Sequence, residues 1–182
     1  MAACALAALV LFEAFRVDGE GTAGDDESNI FLDGVDDVKS ALGAWPTGSE
    51  PYKGQIVAAA ERYQVPPLIL AWLLWKESRY SFAIVTGAKR SPAGAMGIAQ
   101  FMPATAAQEL GSVAAALDPG AAIPGAARYL AKLRRSVGTW AEALAAYNWG
   151  IGNVKRKGIG AAPEETKDYF ATILAKAGGN YA

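Results

Sequence analysis

The sequence contains no histidine among its 182 residues and a single cysteine. Without histidine, the chain cannot build a Ser-His-Asp or Cys-His catalytic system, an HExxH zinc site or any other histidine-ligated metal site. One cysteine excludes an internal disulfide and a cysteine-rich metal site. The catalytic groups that remain are carboxylate, lysine, tyrosine and serine side chains. The chain length fits one globular domain with an appendage.

Charge is balanced overall, with 17 Lys and Arg against 18 Asp and Glu, but it is unevenly placed. Residues 17–38 hold eight acids and no base, a composition that predicts a solvated linker. From residue 41 onward there are 15 bases and 9 acids, a net charge of +6. This suits an anionic polymer as partner, although scattered bases are also typical of a solvated surface. The cluster Lys155-Arg156-Lys157 has nothing specific to nucleic acid, and no nucleic-acid partner is predicted.

The first twelve residues form an unbroken apolar, alanine-rich run. It is shorter than the ~20 residues of a bilayer span, and no basic segment precedes it as in a standard signal peptide. Three interpretations remain open: a weak membrane anchor over residues 1–17, a hydrophobic helix packed on protein, or an artefact of the start site or of truncation. A weak export anchor, an acidic linker over 18–44 and a folded domain over 45–182 form the most economical organisation.

Beyond the linker the sequence predicts an all-α fold, because no alternating run rich in Val, Ile or Thr is long enough for a substantial sheet. Ser49 and Pro51 begin a predicted helix that reaches about Gln64. Residues 68–75 are apolar on every face, as in a central helix surrounded by protein. Further on, Pro124 predicts a broken turn at the start of an amphipathic stretch. The remaining predicted helices are that stretch, about Ile123 to Val137 after the N-cap pair Asp118-Pro119, a helix with a capping box of Thr139 and Glu142, and Pro163 to about Gly178.

Glu77 is the ionisable residue that fits the apolar pattern least. It follows Leu73-Leu74-Trp75-Lys76 at the carboxyl end of the apolar helix, so its carboxyl is expected to be partly desolvated. Burial and the negative end of the helix dipole both raise a carboxyl pKa, which gives a general acid that stays protonated near neutral pH. An exposed Glu in the last turn of a helix is the competing interpretation.

A loop with two glycines and two methionines follows, from Ser91 to Pro103. Glycines permit close backbone approach, and Gln100 can donate and accept hydrogen bonds toward a sugar amide or hydroxyl. Methionines here can contact a ligand, although such methionines more often fill the core. Later in the chain, Ala146-Tyr147-Asn148-Trp149-Gly150 offers a phenol, an amide and an indole at a helix end.

Three ordered blocks carry a resemblance to a known family: Glu77-Ser78, the loop Ser91-x-x-Gly94-Ala95-x-Gly97-x-x-Gln100-x-Met102-Pro103-x-Thr105-Ala106, and Ala146-Tyr147-Asn148-x-Gly150. Together they resemble the soluble lytic transglycosylase domain, which is related to goose-type lysozyme. The resemblance covers about residues 50–175. It implies a lysozyme-like α-helical domain with a glycan-binding cleft, acting on peptidoglycan strands without a metal or cofactor.

The resemblance also implies residue roles. Glu77 matches the catalytic acid/base, and Tyr147 matches the phenol that hydrogen-bonds the catalytic carboxyl. Lys155 and the final helix are expected to take no part in the chemistry. The candidates for substrate binding all lie in the motif blocks: Ser91, Met96, Gln100, Met102 and Asn148.

The separation of Glu77 from Ser91 is longer than in many members of that family. Residues 82–90 look like a short insertion with Gly87, Lys89 and Arg90 at its tip, which we expect to alter the wall of the cleft and the preferred substrate length. Together with the small size and the anchor-like start, this feature favours a phage-encoded member.

Ordinary glycosidases use two carboxylates, about 5–5.5 Å apart for retention or 6.5–9.5 Å for inversion. The motif blocks contain only Glu77, and the other acids of the domain are expected to be surface charges: Glu109, Glu142, Glu164 and Asp168. In the mechanism that the resemblance implies, Glu77 protonates the glycosidic oxygen between N-acetylmuramic acid and N-acetylglucosamine. It then takes a proton from the muramic C6 hydroxyl, which closes a 1,6-anhydro ring.

The sequence therefore favours a peptidoglycan lytic transglycosylase that acts in the periplasm or cell envelope, as a phage lysis or virion-entry enzyme. Two alternatives stay open. The first is a hydrolase on the same fold that cleaves peptidoglycan or chitin. The second is a glycan-binding module or virion structural protein without catalytic activity.

Overall fold

A computed structural model describes residues 44–89, 91–178 and 181. The prediction of a membrane association through residues 1–17, and the linker apart from Ala44, lie outside these residues. Within the described part, no helix combines the length and apolar character needed to cross a membrane. The helices are α1 (Lys53–Tyr63), α2 (Pro67–Ser78), α3 (Phe82–Val85), α4 (Pro103–Leu110), α5 (Pro119–Val137), α6 (Trp140–Trp149), α7 (Ile151–Lys157) and α8 (Glu164–Ala177), with 3₁₀ turns at Glu50–Tyr52, Ala114–Leu117 and Ile159–Ala161.

The all-α prediction is confirmed for the described residues, in which strand-type pairing is limited to an isolated bridge between Met96 and Phe101. The apolar stretch predicted at 68–75 lies in α2, where every residue of 69–74 is buried. Pro67 begins α2, because a proline in the first turn leaves no hydrogen bond unmade. Helices α1 and α8 pack against α2, so the central helix is surrounded as predicted.

Helix α5 begins earlier than predicted and runs unbroken through Pro124. Asp118 caps it by accepting a hydrogen bond from the Gly120 N–H at 2.9 Å, and Pro119 occupies its first position. The predicted broken turn is therefore wrong. Pro124 has no N–H, so the carbonyl of Gly120 loses its helical hydrogen bond. Gly120 is exposed, so water can reach this carbonyl.

Helices α6 and α8 are the long helices that follow α5. The capping box of α6 is confirmed, since Thr139 accepts from the Glu142 N–H at 3.1 Å and Glu142 accepts from the Thr139 N–H at 3.1 Å. Helix α8 follows Pro163 as predicted and packs against both α2 and α6. Its buried positions form one stripe along the helix: Thr166, Tyr169, Ile173 and Ala177.

Candidate active site

Glu77 lies in the last turn of α2, where the helix meets α8. Its side chain retains partial exposure, so a ligand can reach it, while the surrounding protein desolvates the carboxyl. Burial raises the pKa of Glu77 from 4.5 to about 7. The upward shift predicted from the sequence is thus found, and desolvation is its largest cause. A carboxyl with this pKa is present in both the acid and the carboxylate form at neutral pH.

The phenol that holds this carboxyl is Tyr169. Its hydroxyl donates to Oε1 of Glu77 at 2.6 Å, a short bond that opposes the rise in the carboxyl pKa. Tyr169 is 6% exposed, and burial together with the charge of Glu77 raises its own pKa well above the usual value. The phenol therefore stays protonated and remains a donor. The bond fixes one carboxyl oxygen and leaves the other for a substrate.

The predicted hydrogen bond between Tyr147 and Glu77 is wrong. The Tyr147 hydroxyl donates instead to the carbonyl of Ala99 at 3.0 Å, which ties α6 to the motif loop. Burial is the main cause that raises the pKa of Tyr147, and the charge of Glu77 adds to it, so the two side chains are electrostatic neighbours. The final helix, expected to take no part in the chemistry, supplies the phenol of Tyr169 that hydrogen-bonds Glu77.

Tyr169 has a sequence signal of its own, although the motif blocks do not contain it. It lies in the buried stripe of α8, three residues after Thr166 and four before Ile173. A buried tyrosine hydroxyl needs a hydrogen-bond partner, and a tyrosine within an apolar stripe therefore points to a polar group on the facing helix. The prediction for the final helix overlooked this signal.

The motif loop is a tight turn that depends on Gly97. Met96 and Phe101 exchange backbone hydrogen bonds of 3.0 and 3.1 Å across it. Gly97 has φ +71°, and a Cβ there would lie 1.7 Å from the carbonyl oxygen of Ala116. Only glycine fits both the conformation and the space. The motif loop is thereby packed directly on the 3₁₀ turn Ala114–Leu117.

A family model with the description Transglycosylase SLT domain matches residues 54–170 of this chain. The chain belongs to the transglycosylase SLT domain family. The match begins in α1 and ends in α8, one residue after Tyr169, so it contains the three motif blocks and the phenol that bonds Glu77.

Solved structures resemble this SLT domain in fold. The 70 kDa soluble lytic transglycosylase from Escherichia coli is 24% identical with a TM-score of 0.60. An inactive mutant of the lytic transglycosylase Slt from Pseudomonas aeruginosa, in which glutamine replaces a glutamate, is 23% identical with a TM-score of 0.59. Each match covers 69% of this chain and 23% of the other. The matched region is thus under a quarter of either relative, and the likeness shows the lysozyme-like all-α fold.

The substrate-binding candidates of the SLT domain have different surroundings. Ser91 Oγ accepts from the Ala95 N–H at 3.1 Å, and Gln100 Nε2 donates to the Gly97 carbonyl at 2.9 Å, so both help to shape the motif loop. The Ser91 hydroxyl hydrogen and the Gln100 carbonyl oxygen are not used in these bonds, and both remain suitable for a ligand.

Of the other three candidates, Met96 is a core residue. It is 6% exposed, which leaves almost no surface for contact with a substrate. Of the two interpretations of the methionines, a residue that fills the core fits Met96. Met102 is 44% exposed and remains available. Asn148 accepts a hydrogen bond from the buried Thr166 hydroxyl at 2.7 Å, so it links α6 to the helix that carries Tyr169.

Two other carboxylates of the SLT domain, Glu109 and Asp168, pair with lysines. Glu109, predicted to lie on the surface, is instead 9% exposed and pairs with Lys132 at 2.8 Å. This difference arises because α4 packs against α5, which supplies the lysine. Asp168 is exposed and pairs with Lys76 at 2.7 Å, which lowers its pKa. Among the described residues, no three Asp, Glu, Cys or His side chains gather into a group that could hold a metal ion.

Proposed function

We propose that this protein is a peptidoglycan lytic transglycosylase in which Glu77 is the single catalytic acid/base. The observation that carries the proposal is a carboxyl with a pKa of about 7, reachable from solvent and held by a neutral phenol, within an SLT domain. Burial is the main cause of that pKa shift, and the Tyr169 hydrogen bond opposes it. The solved relatives named lytic transglycosylases support the assignment of the reaction class.

The reaction begins with proton donation. Tyr169 holds Oε1 of Glu77, so the proton of the carboxylic acid lies on the other oxygen and is given to the glycosidic oxygen between muramic acid and glucosamine. The bond from muramic C1 to that oxygen breaks, and the glucosamine leaves with a free hydroxyl. The acetamido group of the muramic acid stabilises the positive charge that develops at C1.

The second step regenerates the acid. Glu77, now a carboxylate, takes the proton of the muramic C6 hydroxyl, and the C6 oxygen bonds to C1 to close a 1,6-anhydro ring. No water is consumed, and Glu77 ends protonated as it began. Because the attacking hydroxyl belongs to the same sugar, the step has the advantage of a unimolecular reaction, and no second carboxylate is required to activate water.

The product distinguishes this proposal from a hydrolase. The purified full-length chain should release muropeptides that end in 1,6-anhydro-N-acetylmuramic acid, each one water lighter than the hydrolytic product and resistant to borohydride reduction. Mass spectrometry of borohydride-treated products is the measurement. Mainly reduced muramitol ends would assign the hydrolase, and no release from walls that a known lysozyme digests would favour a glycan-binding module.

We also propose that the protein acts outside the cytoplasmic membrane, because its substrate lies there. The net charge of +6 from residue 41 onward supports a partner with anionic groups, as peptidoglycan stem peptides have. The phage lysis or virion-entry role stays a prediction from the sequence. Fractionation of cells that express the full chain would test the localisation, and a wholly cytosolic pool would contradict it.

A further inference from the structure

Phe82 is an unusual surface residue. Its side chain is 80% exposed, compared with 44% for Met102 and 42% for Val113, the other large hydrophobic side chains exposed among the described residues. Single apolar residues on a surface are common and need no ligand to explain them. The position of Phe82 and the way in which the chain holds it are what distinguish it.

The chain that leads to Phe82 is fixed to the end of α2. Arg79 and Tyr80 both adopt the left-handed conformation, with φ of 53° and 52°, which is uncommon for residues other than glycine. Ser78 Oγ donates to the Leu74 carbonyl at 2.9 Å and accepts from the Tyr80 N–H at 3.1 Å. The Tyr80 hydroxyl donates to the Ala71 carbonyl at 2.7 Å. The turn after Glu77 is therefore rigid, and strained backbone of this kind is concentrated at functional sites.

The far end of the same segment is anchored as well. A Cβ at Gly87 would lie 2.8 Å from the Leu117 side chain, and Val85 is 3% exposed, so the segment packs against the 3₁₀ turn Ala114–Leu117. That turn is also the neighbour of Gly97 in the motif loop. The segment from Phe82 to Lys89 thus adjoins both the end of α2 and the support of the motif loop.

Phe82 follows Glu77 closely in the chain. Phe82 is five positions after Glu77, which sets an upper limit of about 18 Å between the two Cα atoms for an extended chain. A turn with a bond from the Ser81 N–H to the Ser78 carbonyl at 2.9 Å makes the true separation shorter. A polysaccharide that lies across Glu77 extends for several sugar rings on either side, so one of its rings can reach Phe82.

A hexopyranose ring has an apolar face of C–H groups, which suits an exposed aromatic ring on an anchored backbone, because stacking removes apolar surface from water on both partners. A membrane is a poorer fit, since interfacial binding needs a contiguous apolar face rather than one side chain. We propose that Phe82 forms a glycan subsite in which its ring stacks on a sugar of the strand held at Glu77. This inference rests on the proposed function and makes Phe82 a determinant of affinity for longer strands.

The test uses the full-length chain in a Glu77→Gln background, so that the strands stay intact during binding. Co-sedimentation with insoluble peptidoglycan would compare this background with added Phe82→Ala, Phe82→Trp and, as a matched control, Val113→Ala. Loss of one stacked ring should weaken binding roughly 5- to 30-fold. The tryptophan should restore binding, and the Val113 variant should bind within about twofold of the background. With Glu77 intact, Phe82→Ala should raise KM for wall lysis more than it lowers kcat.

Three results would overturn the proposal. The Phe82→Ala variant could bind peptidoglycan as the background does, at an unchanged melting temperature. Its binding could also fall without being restored by Phe82→Trp, or Val113→Ala could weaken binding to the same extent. Sedimentation velocity adds a fourth, because a dimer that Phe82→Ala dissociates would assign the ring to a second copy of this chain. The proposed function fails by a separate result, namely full lytic activity of Glu77→Gln.

Discussion

Glu77 and Glu109 both lie against packed helices, but they are held by different kinds of partner. Glu77 accepts a hydrogen bond from the neutral phenol of Tyr169 at 2.6 Å, and Glu109 pairs with the ammonium of Lys132 at 2.8 Å. Glu109 is one half of an ion pair, whereas Glu77 is held by a neutral donor and burial raises its pKa to about 7. Contact with packed helices is therefore compatible with two different tasks for a carboxyl group, a structural ion pair and a proton donor.

Glu77→Gln should have the largest effect on activity. The amide keeps the size of the side chain but cannot donate a proton to the leaving group, so the lytic rate should fall by about 10²- to 10⁴-fold. Turbidity of a cell-wall suspension measures the rate. A mutant that clears walls at nearly the wild-type rate, at an unchanged melting temperature, would remove Glu77 from the mechanism.

Stability provides an internal control for this variant. Because folding raises the pKa of Glu77 from 4.5 to about 7, the unfolded chain loses this proton at a lower pH than the native chain does. Between pH 4.5 and about pH 7, ionisation of this carboxyl therefore lowers the free energy of unfolding progressively, by up to about 3 kcal/mol. Relative to wild type, Glu77→Gln should be more stable at pH 8 and little changed at pH 4, as chemical denaturation at the two pH values would show.

Tyr169→Phe should have an intermediate effect and a distinctive pH dependence. Its phenol opposes the rise in the Glu77 pKa, so its removal should raise that pKa further and move the alkaline limb of the pH-rate profile upward from about pH 7. Looser positioning of the carboxyl should lower the rate about 10-fold. The matched control is Tyr147→Phe, which removes a bond to the Ala99 carbonyl and should leave the alkaline limb in place. If Tyr147→Phe moves the limb and Tyr169→Phe does not, our assignment of the phenol is wrong.

Glu109→Gln should have the smallest effect on catalysis and act on stability instead. Loss of a carboxylate that is 9% exposed weakens its bond to Lys132, and we expect a loss of about 1–3 kcal/mol in the free energy of unfolding. Activity per folded molecule should be unchanged. Glu164→Gln is the control, because that carboxylate is 89% exposed and its pair with Lys167 should contribute less than about 1 kcal/mol. Urea unfolding measures both, and equal losses would show that enclosure adds nothing to the Glu109 pair.

Local signals in the sequence were sufficient for several of the helices and for the desolvation of Glu77, but not for α3, α4 and α7 or for the start of α5. Capping residues and hydrophobic periodicity predicted α2, α6 and α8, and the position of Glu77 after an apolar helix predicted its desolvation. Contacts between segments that are distant in the sequence were harder to predict. Tyr169 and Glu77 are 92 residues apart, and only the packing of α8 on α2 brings them together. The pairing of Glu109 with Lys132, across α4 and α5, has the same cause.

The contact between Gly97 and the Ala116 carbonyl has a consequence for protein engineering. Since no other residue fits at position 97, the motif loop cannot be transplanted into a related scaffold without the backbone turn on which it rests. Chimeras that exchange residues 91–103 alone should fold poorly, whereas those that exchange residues 91–117 as one cassette should retain the loop. The 3₁₀ turn supplies no candidate functional side chain, but it must be transferred together with the motif loop that contains such side chains.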